Sequence, residues 1–119
     1  MRLGESGWER GVVMTGKVCQ GDILKIERIQ QDVLVVSKDF FHSSGEIIGC
    51  PVYKSSVEGP LHIYIDTGET QGYVQCEKLA LLDLRVRGYK KVDRIALQDI
   101  MNIADAIQGI FDYTDGRKD

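Results

Sequence analysis

The chain is poor in the residues that staple or metallate small domains. Its three cysteines, Cys19, Cys50 and Cys76, are widely spaced with no C-x-x-C pair. That excludes a disulfide framework and a zinc finger, and it suits a reducing compartment, expected to be the cytoplasm. No apolar run approaches the roughly 18 residues of a membrane span. The residues after Arg2 include Gly4, Glu5 and Ser6 rather than the apolar core of a signal peptide, so no membrane partner is expected. There is no phosphate-binding glycine loop, nucleophile elbow, internal repeat or low-complexity tract. No cofactor and no metal are therefore expected.

What is present is enough for one core. The 119 residues are 43% hydrophobic, and a domain of this size buries roughly two thirds of its unfolded surface without staples. The net charge of -3 argues against nonspecific duplex DNA binding. Charge is nevertheless uneven: Asp83–Arg94 carries five basic and two acidic residues, a local +3 that leaves -6 elsewhere. Such a segment is either a basic patch on an acidic body or a solvated strand pair with its turn. Residues 1–14, with no period and Trp8 as the one large apolar group of the first 13, are expected to be a flexible extension. The domain should span 15–113, with a frayed polar tail at 114–119.

Within the domain the period is mostly two. Gly21–Arg28 alternates and Asp32–Lys38 contains Val-Leu-Val-Val, and the three residues Ile29, Gln30 and Gln31 between them predict a hairpin. Asp39–Gly45 is a polar connection whose Phe40 and Phe41 are expected to plug the core. Ile47–Val52 has apolar residues on both alternating sets, as in a strand covered on both faces, and runs into a polar tip of Tyr53, Lys54, Ser55 and Ser56. A turn at Ser55–Pro60 precedes a strand at Leu61–Ile65, and Asp66–Thr70 has turn composition. Gly72–Glu77 and Leu79–Leu84 form one long or broken strand, Gly88-Tyr89 turns the chain, and Lys90–Ile95 is the last strand. From Leu97 the period becomes three and four through Ile100, Ala104, Ile107 and Phe111, predicting an amphipathic helix whose wide stripe faces both the barrel and a second copy of the chain.

Two histidines are the obvious acid-base candidates. His42, beside Ser43 and Ser44, serves either catalysis or the capping of its turn. His62 falls on an outward strand face and is expected to be solvated. Asp66 and Glu69, separated by a turn, lack the second cluster that a metal site needs.

Short strands, a turn, a last strand and one closing helix describe a mostly β domain with a C-terminal helix, a small SH3-like partly open barrel. Over Gly21–Phe111 the residues resemble the MazF/PemK/Kid family of toxins, whose fold relative is CcdB. The resemblance is carried by Gly21-Asp22-Ile23, Val33-Leu34-Val35-Val36-Ser37, Cys50-Pro51-Val52, Gly72-Tyr73-Val74-Gln75-Cys76-Glu77 before Leu82-Asp83, and Asp93-Arg94-Ile95 leading into Ile100-Met101-Asn102. It implies a homodimeric growth inhibitor of the mRNA interferase type. Such a protein is a metal-independent endoribonuclease acting on single-stranded RNA, with an antitoxin peptide blocking its RNA groove.

The resemblance also implies an arginine before the second strand, a threonine or serine after the Pro-Val step, and a further arginine downstream. A guanidinium there stabilises charge on the scissile phosphate, and the hydroxyl orients it. Here those positions fall on Gln31 or Asp32, on Tyr53 and on Ala80. The long basic first loop is reduced to Ile29–Gln31. Arg28 and Tyr53 remain as candidate catalytic groups, with Arg28, Gln31, Tyr53, Lys54 and Ser55 as candidate RNA- or antitoxin-binding residues. The alternative is a catalytically degenerate member that binds RNA or a protein partner without cleaving. A gyrase-poisoning role like that of CcdB lacks its terminal tryptophan motif in Gly109–Asp119.

Overall fold

A computed structural model describes residue 8 and residues 18–112. Except for Trp8, the expected extension and tail lie outside the described residues. Seven antiparallel strands form one curled, unclosed sheet in the order β4-β5-β3-β2-β1-β7, with β6 also on β3, and a C-terminal helix packs against it. The strands are β1 Asp22–Ile26, β2 Asp32–Val35, β3 Glu46–Tyr53, β4 His62–Asp66, β5 Gln71–Gln75, β6 Ala80–Asp83 and β7 Tyr89–Arg94, and α1 is Leu97–Phe111.

The β1–β2 hairpin forms in the register Ile23↔Leu34 and Leu24↔Val33. Its turn leaves Arg28 at φ 70°, an uncommon left-handed conformation for a residue other than glycine. β3 is the organising strand: β2 pairs along one edge, while β5 and β6 share the other. That explains the apolar residues on both of its faces. The sheet curls around one cluster that includes Leu24, Ile26, Val33, Ile47, Leu84 and Tyr89. Its other face buries Ile23, Leu34, Cys50, Val52, Ile65 and Val74 under Ile103 of the helix. At Gly72 a side chain would come within 2.7 Å of the Tyr53 carbonyl, so only glycine lets β5 approach β3 this closely. A hydrogen bond from the Thr67 hydroxyl to the Asp93 carboxylate ties the β4–β5 turn to β7 and draws the free edges of the sheet together.

Three expectations give way to the structure. Phe40 is 78% exposed and plugs nothing. Residues 39–44 form a 3-10 helix, and turning His42 inward at three residues per turn turns Phe40 out. His42 is the plug. It is 2% exposed, with Nδ1 3.0 Å from the Val18 carbonyl and Nε2 2.7 Å from Ser37 Oγ. A carbonyl only accepts, so Nδ1 carries the proton and Nε2 accepts from Ser37. His42 therefore neither caps its own turn nor faces a substrate. The turn before the last strand is at Asp83–Arg87, where the Val86 and Arg87 N–H groups donate to the Asp83 carbonyl. Tyr89 is already in β7 and is 2% exposed, because its ring fills the core below β1.

The helix buries only Ile103 fully, with Ile100, Ala106 and Ile107 half-buried beside it. Leu97, Met101 and Phe111, spaced by four and ten, remain on the outer side at 69%, 50% and 71% exposure. The wide stripe seen in the sequence thus has two halves, one against the sheet and one facing outward.

Candidate functional site

The polar tip of β3 opens into a cleft of about 310 Å³. Lys25 of β1, Gln30 and Gln31 of the hairpin, Asp32 of β2, Tyr53 and Lys54 at the end of β3, and Glu69, Thr70 and Gln71 of the β4–β5 turn line it. The register Asp32↔Val52 sets the hairpin residues beside Tyr53 and Lys54, and the turn tethered by Thr67 forms the far wall. Of the residues singled out from the sequence, Gln31, Tyr53 and Lys54 meet here. Ser55 is exposed just outside. Ala80 pairs with Gly49 on β6 and does not line the cleft.

Arg28 lies elsewhere. It lines a separate depression of about 520 Å³ with Glu27, Val86 and Arg87. It is not among the residues that line the Gln31–Tyr53 cleft.

The cleft's electrostatics are nearly balanced. Lys25 Nζ is 2.8 Å from Asp32 Oδ1, which uses one cation and the acid that stands where an arginine would be expected. Lys54 is an exposed ammonium, and Glu69 faces it across the cleft mouth. Among the described residues no guanidinium lines the cleft. The arrangement offers amide, hydroxyl and ammonium donors that can hold a phosphate or a carboxylate, without the delocalised bidentate cation that stabilises a phosphoryl transition state.

Beside the cleft is a second polar cluster. His62 is half-buried rather than solvated: its Nδ1 is 2.6 Å from the Val57 carbonyl and its Nε2 2.9 Å from Glu77 Oε2. Both ring nitrogens face acceptors, which favours the imidazolium. The Glu77 hydrogen bond first, and the Val57 carbonyl second, hold the His62 pKa above its ordinary value, while the same bond holds Glu77 below its own. Gln75 Nε2 donates to Ser56 Oγ at 3.0 Å, which lies 3.3 Å from His62 Nδ1. The cluster closes the β3–β4 loop onto β5. Its Nδ1–H is taken by Val57, so the Ser56 hydroxyl has no base to receive its proton.

Elsewhere the candidate chemistry is structural. Asp66 Oδ1 accepts the Gly68 N–H at 2.9 Å, stabilising the β4–β5 turn. Among the described residues no group of three potential metal ligands gathers. Burial pushes the thiols of Cys50 and Cys76 up to about 12 and about 11, leaving both as inert core residues. The basic segment Asp83–Arg94 is partly neutralised within itself and by Asp22. Arg85 binds Asp83, and Lys91 and Arg94 converge on the buried Asp22 at 3.1 and 2.7 Å.

Lys25, Glu69, Thr70 and Gln71 were not candidates from sequence. Lys25 carried one signal, as a charged residue within the apolar run Ile23–Ile26. The other three looked like an ordinary turn, and only the Thr67–Asp93 bond and the β3–β5 pairing bring that turn to the cleft.

Compared with known proteins, residues 20–111 match the model of a family described as PemK-like, MazF-like toxin of type II toxin-antitoxin system. No curated protein sequence matches the chain. Among solved structures, the fold is similar to a MazE-MazF complex (Form-II) from Deinococcus radiodurans. The TM-score is 0.73 at 15% identity, covering 82% of this chain and 97% of that one. MazF alone (Form-I) from the same organism gives 0.71 at 14% identity, covering 78% and 94%. An endoribonuclease in complex with its cognate antitoxin from a Mycobacterial species gives 0.70 at 12% identity, covering 82% and 99%.

Proposed function

The chain belongs to the PemK-like, MazF-like toxins of type II toxin-antitoxin systems, and from that premise we propose that its cleft holds single-stranded RNA without cutting it by an arginine-dependent route. The observation that carries this reading is the cleft's inventory of cations among the described residues: Lys54, Lys25 already bound to Asp32, and no guanidinium. Losing a positioned cation from a phosphoryl-transfer site costs several kcal/mol of transition-state stabilisation, or orders of magnitude in rate. Binding is less demanding. The Lys54 ammonium, the amides of Gln30, Gln31 and Gln71 and the hydroxyls of Tyr53 and Thr70 can hold phosphate and sugar oxygens without stabilising extra charge.

An antitoxin segment is the competing occupant of the same cleft. The chain acts as a homodimer, with Leu97, Met101 and Phe111 on the outer side of α1 as the apolar face that a second copy would cover. Its three free thiols suit the cytoplasm, where RNA and antitoxin are found.

The direct test incubates the purified protein with long single-stranded RNA in EDTA and follows both retention and fragment length. RNA that is retained but intact is expected; fragments formed in EDTA would overturn the non-cleaving reading. Light scattering should show a dimer that Leu97→Glu with Met101→Glu converts to a monomer, and a monomeric wild type would remove the dimer.

A further inference from the structure

The sheet face beyond the cleft carries a row of rings. Tyr53 on β3 lies opposite Tyr73 on β5, and Tyr73 lies opposite Tyr64 on β4. Directly opposed residues of antiparallel strands share a face, so the three rings stand on one side across three adjacent strands. Their alternates, Val52, Val74 and Ile65, point the other way into the core. Tyr64 and Tyr73 meet edge to face with centroids 5.2 Å apart, and Tyr64 is 50% exposed while Tyr53 and Tyr73 are half-buried. A row of half-open aromatics on a sheet surface leaves apolar area in water that burial would otherwise stabilise.

The row starts inside the cleft, because Tyr53 belongs to both. Lys78 Nζ stands 4.9 Å from the Tyr53 ring centroid, and Lys54 follows in sequence. Neither ammonium has a carboxylate partner among the described residues. The neighbouring acids Asp32 and Glu77 are paired, with Lys25 and His62. Glu69 is the remaining acid lining the cleft, so the two lysines leave a small positive excess at the Tyr53 end of the row.

We propose that Tyr53, Tyr73 and Tyr64 form a stacking platform for unpaired bases of a single-stranded nucleic acid that leaves the cleft and crosses β5 and β4. This rests on the RNA-binding reading of the cleft and extends it to a surface outside the cleft. Every base has a π-face, so such a platform tolerates sequence and requires unpaired bases. Few lysines take part, so stacking outweighs charge. With one or two phosphates neutralised, the logarithm of affinity should fall against the logarithm of salt with a slope of about -0.7 to -1.4. A proline-rich peptide also lies on aromatic grooves, but it offers nothing to the unpaired ammonium groups at Tyr53.

The test is fluorescence anisotropy with a short labelled RNA, its DNA counterpart, a blunt RNA duplex and a proline-rich peptide. Both single strands should bind, the duplex should bind weakly, and the salt slope should be shallow. Tyr64→Ala and Tyr73→Ala should each weaken binding about tenfold, within the range set by removing one stacking ring, while Tyr64→Phe keeps wild-type affinity. Thermal melts of each variant separate loss of the surface from loss of the fold, and Tyr64, at the exposed end of the row, is the variant least coupled to folding. Unchanged affinity in Tyr64→Ala and Tyr73→Ala, or binding of the peptide with none of the oligonucleotides, would overturn the platform. Lys54→Ala distinguishes the two readings. If it weakens binding and the tyrosine variants do not, the cleft reading stands and the platform falls. If only the tyrosine variants weaken binding, the platform stands and the cleft reading falls.

Discussion

The buried frame and the cleft differ in what they demand of a side chain. The frame asks for apolar volume at the right period: Ile23, Leu34, Val52 and Ile103 interdigitate in one cluster, and other aliphatic residues of similar size would fill it as well. That latitude accounts for a TM-score of 0.73 at 15% identity. The cleft asks for particular atoms at particular points, so exchanging an amide such as that of Gln31 for a guanidinium would change its chemistry while leaving the strands in place. The comparison teaches that a shared scaffold does not by itself specify reactivity, which depends on the residues at the rim.

The sharpest way to break this comparison is to damage each region and read the other. Ile103→Ala, at a site 1% exposed, should lower unfolding free energy by about 2–5 kcal/mol in chemical denaturation, with RNA affinity per folded molecule unchanged. Gln31→Arg should do the converse. A guanidinium at the cleft should strengthen RNA binding by about 1.5–3 kcal/mol in anisotropy titrations, the range of a hydrogen bond to a charged group, and leave the melting temperature almost unmoved. Lys54→Ala should weaken that binding by about 1 kcal/mol, whereas Arg28→Ala, in the other depression, should alter it less than twofold. Equal losses in the two variants would contradict the geometry separating them.

Gly109→Ala sharpens the comparison within the frame. No atom lies within 4 Å of the added methyl, so the variant should gain about 1 kcal/mol from helix propensity alone.

The smallest effect concerns the His62–Glu77 clasp at the cleft's border. The imidazole pKa is raised, so its contribution is present below the ordinary value of 6.5 and lost as pH rises through the folded value. The carboxyl pKa is lowered, so its contribution is present above the ordinary 4.5 and lost as pH falls through the folded value. Both contributions are complete between about pH 4.5 and 6.5. Denaturation midpoints of wild type minus those of His62→Gln should be largest in that window, and a flat difference would show that the clasp contributes nothing.

Much of this architecture was legible residue by residue. The alternation in Ile23–Ile26, the Val-Leu-Val-Val of β2 and the three-four spacing from Leu97 gave strands, hairpin and helix, because burial of one face imposes its period on any chain. Gln31, Tyr53 and Lys54, singled out from their order along it, line one cleft. The misses are long-range. Phe40 and His42 exchange roles because a 3-10 turn decides which faces inward, and His62 gains Glu77 from fifteen residues away.

The sequence by itself determined the period and the family resemblance, since each depends on local order or on identity at particular sites. Only the tertiary structure decided that Arg28 lines a different depression from Gln31, that Glu69–Gln71 walls the cleft, and that Tyr53, Tyr73 and Tyr64 stand in one row. Those are consequences of strand register and curl, which bring together residues that no local pattern relates.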